Sequence, residues 1–143
     1  MSYLLDTNVI SEVRKPSAHP GVRAWFSSVR GDDLYLSVLT VGEVRQGIER
    51  LRGRDRARAL VYEQWLETLG RDYAGHILPV STDIAEMWGR LNAPHALPVV
   101  DGLLAATAIV RDLTLVTRNM ADVERTGARL LNPFEWAEPQ GSA

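Results

Sequence analysis

Tyr3-Leu4-Leu5-Asp6-Thr7-Asn8-Val9-Ile10-Ser11-Glu12-Val13 sets out the grammar by which this chain folds. Three apolar residues suit a buried strand, Asp6-Thr7-Asn8 ends it and caps a helix, and the helix runs on until Pro16 stops it. The same sentence returns further along. Leu34-Tyr35-Leu36-Ser37 reads as a strand before a helix that Thr40 should cap, with Val41, Val44, Ile48 and Leu51 on one face. Ile77-Leu78-Pro79-Val80 precedes a helix from about Thr82 to Leu91. Leu113-Thr114-Leu115-Val116 leads through Thr117-Arg118-Asn119 into a brief helix and a last strand, Arg129-Leu130-Leu131. Between these lie a helix from Pro20 to Val29, an apolar stripe of Leu60, Trp65, Leu66 and Leu69, and a helix from Val100 to Val110 that is apolar nearly all round and so expected to be buried. Strands alternating with helices imply right-handed crossovers and a parallel sheet with helices on both faces.

At 143 residues the chain has the length of one domain, and 45% hydrophobic with 24% charged residues is globular composition. A net charge of −2 excludes coating of nucleic acid by bulk attraction, so a polyanion must be met by a local basic patch. The basic residues are almost all arginine, Lys15 being the single lysine. Without cysteine there is no disulfide, thiolate site or cysteine nucleophile. The start turns acidic too early for a signal peptide, and no apolar run nears the roughly 20 residues that span a bilayer, so a cytoplasmic protein is expected. The domain is expected over residues 1–137, with a disordered tail over 138–143.

Acids stand at matching places: Asp6 after the first strand, Glu43 in Leu39-Thr40-Val41-Gly42-Glu43, Asp101 in Pro98-Val99-Val100-Asp101-Gly102, and Asp122 behind Thr117-Arg118-Asn119. In a parallel sheet the carboxyl ends of the strands share one edge, where ligands bind. Carboxylates gathered there form an all-oxygen pocket suited to Mg²⁺ or Mn²⁺ and, through the ion, to phosphate. Each acid also has a structural reading. Asp6 and Asp101 are good first-turn or capping residues, and Thr40-Val41-Gly42-Glu43 matches a capping box. Asp101 is the hardest to dismiss, because it borders an apolar helix where an unpaired charge is costly.

The local words carry more. Leu4-Leu5-Asp6-Thr7-Asn8-Val9-Ile10-Ser11-Glu12, Leu36 to Gly47, Asp101-Gly102-Leu103-Leu104-Ala105-Ala106-Thr107-Ala108, Leu115-Val116-Thr117-Arg118-Asn119 and Asn132-Pro133-Phe134 resemble, in order, the motifs of the PIN-domain family, especially its VapC-type toxins. The resemblance runs from residue 3 to about residue 136. It implies a three-layer α/β fold with a central parallel sheet of about four to five strands. It also implies Mg²⁺- or Mn²⁺-dependent endoribonuclease activity, an antitoxin partner that holds the enzyme inactive, RNA as substrate, and homodimers or toxin–antitoxin hetero-oligomers. Asp6 and Asp101 would be metal ligands and Glu43 would complete the cluster or orient water, with Thr7, Asn8 and Thr117 as the supporting shell. Many family members carry a further acid where this chain has Asn119. Asp122, one helical turn on, can supply the missing carboxylate or can be a first-turn acid, and one- and two-metal chemistry both remain open.

Other residues divide less clearly. Arg118 is the arginine best placed to touch a phosphate. Arg50, Arg52, Arg54, Arg56 and Arg58, with Arg45 before them, form a solvated surface, an RNA track or a contact for an acidic partner. His19, His76 and His95 read as surface or turn residues. Trp25, Trp65 and Trp88 serve a core or an interface equally well. An aspartyl-phosphate enzyme would need a lysine late in the chain, and Lys15 comes too early. The remaining alternative is a PIN-like module that binds a protein partner or RNA without cleaving, for which Asn119 speaks.

Overall fold

The computed structural model describes residues 1–137, so the tail expected to be disordered lies outside the described residues. Five strands form one parallel sheet: β1 (Tyr3–Leu5), β2 (Leu34–Ser37), β3 (Ile77–Leu78), β4 (Thr114–Val116) and β5 (Leu130–Leu131), in the order β3-β2-β1-β4-β5. Seven α-helices connect them among the described residues: α1 (Thr7–Val13), α2 (Pro20–Ser28), α3 (Val38–Arg52), α4 (Arg56–Asp72), α5 (Thr82–Asn92), α6 (Val99–Arg111) and α7 (Met120–Val123). The first strand is the middle one, and the chain winds outward from it in both directions. This is the doubly wound arrangement that crossovers of one hand produce.

Side-chain alternation along the strands feeds two cores. Leu5, Leu36 and Val116 point to one face, where Val9, Ile10, Val22, Trp25 and Leu69 cover them. Leu4 and Leu115 point to the other, under Leu104, Ala105 and Ala108 of α6 and Val123 of α7. Small residues let the buried helix α6 lie close to the sheet. Trp25 is 2% exposed and packs edge-on against Tyr3 at 5.3 Å, so it belongs to the core and not to an interface.

Two local expectations change. The helix expected to start at Thr40 starts at Val38, because the Ser37 hydroxyl accepts from the Leu39 N–H at 3.0 Å and caps it three residues earlier. Glu43 is therefore in the second turn of α3 and makes no capping box with Thr40. The arginine-rich stretch breaks at Gly53, and Asp55 begins α4 by accepting from the Arg58 N–H at 3.1 Å. Among the described residues no helix is long and apolar enough to cross a membrane.

A candidate active site at the carboxyl edge of the sheet

Backbone pairing continues one step beyond β1 and β4. The Asp6 N–H donates to Val116 O at 2.9 Å and the Thr117 N–H to Leu131 O at 3.0 Å. Both residues are thus fixed at the sheet edge, and their side chains meet there: Thr117 Oγ1 donates to Asp6 Oδ2 at 2.7 Å. Asp6 is only 6% exposed. Its carboxylate also accepts from the Thr7 N–H at 2.6 Å and, more loosely, from Asn8 Nδ2 at 3.4 Å. Burial raises its pKa above the ordinary value, the bonds from Thr117 and Thr7 pull it back, and the negative charge of Glu43 pushes it up again.

Glu43 comes from the second turn of α3, where Thr7 Oγ1 donates to its Oε1 at 2.6 Å. Thr7 therefore ties two acids together, its N–H on Asp6 and its hydroxyl on Glu43. Asp101 sits in the first turn of α6, and its neighbour explains its placement. A Cβ built on Gly102 would lie 3.1 Å from Trp88 Cδ1 and Nε1, so only glycine lets α6 approach α5 this closely. The carboxyl of Asp101 is pushed up to about 6, first by burial, then by repulsion from Asp6, Asp122 and Glu43, and by a hydrogen bond shared with Asp122.

The last motif contributes differently from what its letters imply. The Asn119 N–H donates to Thr117 Oγ1 at 3.0 Å, and the Arg118 N–H to Asn8 Oδ1 at 3.3 Å, so the backbone of this turn braces the shell around Asp6. The Asn119 side chain makes no capping bond on α7. Asp122, one turn on, is the acid from this segment that reaches Asp101. The Arg118 guanidinium is stacked over Phe134, 4.4 Å from the ring centre.

Asp6, Glu43, Asp101 and Asp122 form no ion pair with any cation among the described residues. Nor, among the described residues, do three acidic or histidine side chains converge closely enough to chelate an ion as they stand. The acids are near enough to repel one another yet are not drawn onto a common point. Their chemistry fits a hard divalent cation: all donors are carboxylate oxygens, the central one is held by hydroxyl and backbone donors, and the described residues pair no cation with them. The histidines stay out of this group. His19 caps α2, accepting from the Gly21 N–H at 3.1 Å. His95 meets Arg125 at 3.3 Å. His76 is half-buried rather than a surface residue, with Nδ1 2.9 Å from Leu34 O and its ring stacked on Tyr35 at 4.4 Å.

A cavity of about 390 Å³ opens beside Glu43, the one acid of the group that lines it among the described residues, with Thr7 and Ser11 next to Glu43 and with Arg50, Arg54 and Arg58 further along. Ser11 was not singled out from the sequence. Its signal is spacing alone, one helical turn after Thr7 on α1.

The PIN domain profile matches residues 3–127. Toxin FitB of Neisseria gonorrhoeae is 33% identical over 136 residues, covering 92% of this chain and 97% of that protein. VapC ribonuclease Y4jK of Sinorhizobium fredii is 32% identical over 138 residues, covering 92% and 97%. The crystal structure of FitAcB from Neisseria gonorrhoeae superposes with a TM-score of 0.84 at 33% identity, covering 93% of this chain and 99% of that one. With the motifs in order, the five-stranded parallel sheet and the acids at its carboxyl edge, this chain belongs to the PIN-domain family, in its VapC-type branch.

Proposed function

We propose that this protein is a Mg²⁺- or Mn²⁺-dependent endoribonuclease and the toxin of a toxin–antitoxin pair. One observation carries the reading: a buried aspartate, Asp6, held by Thr117 and Thr7 beside mutually repelling acids that pair with no cation among the described residues. The names of the relatives, a ribonuclease and a toxin, point the same way. Asp6, Glu43 and Asp101 would hold the ion, which when bound polarises a phosphodiester and lowers the pKa of its water. The chain's own part is to hold that arrangement still. Thr7 bridges Asp6 and Glu43, Asn8 and Thr117 fix the other carboxylate oxygen, and Arg118 lies next in sequence to touch a phosphate. Asp122 supplies the charge that Asn119 lacks, and its coupling to Asp101 favours the cleaving enzyme over a non-cleaving module.

A nuclease toxin must be restrained in its own cell, so the partner is a cognate antitoxin, for which a basic side chain suits the uncompensated acids. Homodimers are part of the same reading. The test is cleavage of total RNA by antitoxin-free protein with and without Mg²⁺ or Mn²⁺, beside Asp6→Ala and Asp101→Ala. Metal-dependent cleavage that both substitutions abolish is expected. Cleavage that survives them would remove the site assignment. No cleavage and no Mn²⁺ binding by calorimetry would leave the non-cleaving module.

A further inference from the structure

Six arginines lie between residues 45 and 58, and the fold separates five of them into two sets, with Arg56 in neither. Arg45 and Arg52 turn outward and share Glu63, at 2.7 Å and 3.1 Å, with Glu49 beside them. Their charge is answered locally. Arg50, Arg54 and Arg58 make no ion pair among the described residues and line the cavity whose other end is Thr7 and Glu43. The order along α3 is what a helix face requires: Glu43, Gly47, then Arg50 with Leu51, and Arg54 just beyond the helix end. One face thus carries an acid near its start and, about 10 Å along the helix axis, the first of the cations near its end.

Aromatic rings order one of these arginines, Arg58, and the neighbouring Arg14. The Arg14 guanidinium lies 4.3 Å from the Tyr62 ring centre and 5.3 Å from that of Trp65, and Arg58 lies 5.8 Å from Tyr62. Stacking on aromatic faces fixes these flexible side chains before any ligand arrives. Between the two ends the floor is open, since a Cβ on Gly47 would meet nothing within 4 Å.

We infer that the groove between α3 and α4 is the track along which single-stranded RNA leaves the acidic site, its phosphates met by Arg50, Arg54 and Arg58. This rests on the nuclease reading above and adds where the substrate runs. A phosphodiester placed at the acids has further phosphates on either side. The groove offers them cations in a row, in a protein whose net charge of −2 gives no general attraction. An acidic protein segment would find the same cations, but nothing in it requires continuity with the carboxylates at the Glu43 end. A regularly charged strand does.

The test uses the full chain, with Arg50→Gln, Arg54→Gln and Arg58→Gln combined, and separately Gly47→Phe, which blocks the floor without altering charge. Binding of a 5′-fluorescein-labelled single-stranded RNA of mixed sequence is followed by anisotropy in EDTA across a salt series, and cleavage of the same RNA is followed with Mn²⁺. All three arginines are exposed, and thermal melting checks that each variant is folded. The triple variant should bind about tenfold more weakly, with the slope of log K against log salt shallower by about 2, since each phosphate contact on a single strand contributes about 0.7. Gly47→Phe should weaken binding with the slope kept. Cleavage should show a raised KM and little change in kcat. RNA affinity and salt slope unchanged in the folded triple variant would overturn the track and leave the groove to an acidic protein segment. Metal-dependent cleavage in that case would still uphold the nuclease reading. Binding lost as expected from a protein that never cleaves would sink the nuclease reading and keep the track.

Discussion

Asp6 and Thr117 are 111 positions apart in sequence and joined at 2.7 Å in the structure. Replacing Thr117 by valine keeps the shape and removes the donor, leaving a buried carboxylate short of one partner. A hydrogen bond to a charged group is worth about 1.5–3 kcal/mol, and partners that orient ligands typically carry 10- to 100-fold in metal affinity or activity. Thr117→Val is therefore expected to melt earlier and to bind Mn²⁺ tens of times more weakly by calorimetry, while Thr117→Ser retains most of both. Asp101 allows a test of sign. Its folded pKa of about 6 lies above the roughly 3.9 of an unfolded aspartate, so the native state binds the extra proton between these values. Its contribution is favourable at low pH and is lost as pH rises through 6. In EDTA, Asp101→Asn should accordingly melt higher than the parent at pH 7.5, and the gap should close as the pH is lowered to 4.5. An unchanged gap would mean that neither burial nor the neighbouring acids raise the Asp101 pKa. The acids of this candidate site were largely legible in the sequence, because Asp6 follows a strand and Asp101 and Asp122 open helices. Glu43 was legible as an acid but not in its bonding. Ser37 and Thr40 are both good caps and both buried, and the extended backbone of Ser37 at the strand end, with its hydroxyl on the Leu39 N–H, decides between them.

Elements were read more easily than their edges. The buried helix α6 announces itself by composition, and β4 by a run of apolar and β-branched residues. The strand expected through Val80 ends at Leu78, since Pro79 has no N–H to give a neighbour. The arginine stretch is ambiguous in sequence, because spacing by two residues scatters the cations round one continuous helix. A break at Gly53 changes the geometry and puts every other cation on one wall. Element packing also carries Asp101. Gly102→Ala would place a methyl 3.1 Å from the Trp88 ring, so α5 and α6 must part slightly. Overpacking of this kind costs about 1–3 kcal/mol. The variant should melt below the parent and lose Mn²⁺ affinity although it alters no ligand. Equal affinity would mean that the start of α6 tolerates the shift and that Gly102 serves packing alone.

On the scale of the whole molecule, the fold gathers acids from four separate segments at one edge and leaves them without an ion pair among the described residues, so a cation bound there would add to its stability. A ligand that binds only the native state stabilises it by RT ln(1 + [L]/Kd), about 2.7 kcal/mol at a hundredfold excess over Kd. For a chain of 143 residues each kcal/mol moves Tm by about 2–4 °C, so saturating Mn²⁺ should raise Tm by about 5–10 °C at pH 7.5. Protons compete for the same oxygens. Since Asp101 gains its proton below about 6, the metal-induced shift should shrink sharply by pH 5, whereas stabilisation by ions on the general surface would persist. Asp6→Ala should abolish the shift at both pH values. A parent protein whose Tm stays flat through high millimolar Mn²⁺ at pH 7.5 would show that the carboxylates do not close on an ion. Asp6, Glu43 and Asp101 would then be neighbours arranged by helix capping and sheet geometry, and the order of the motifs would describe ancestry without present chemistry.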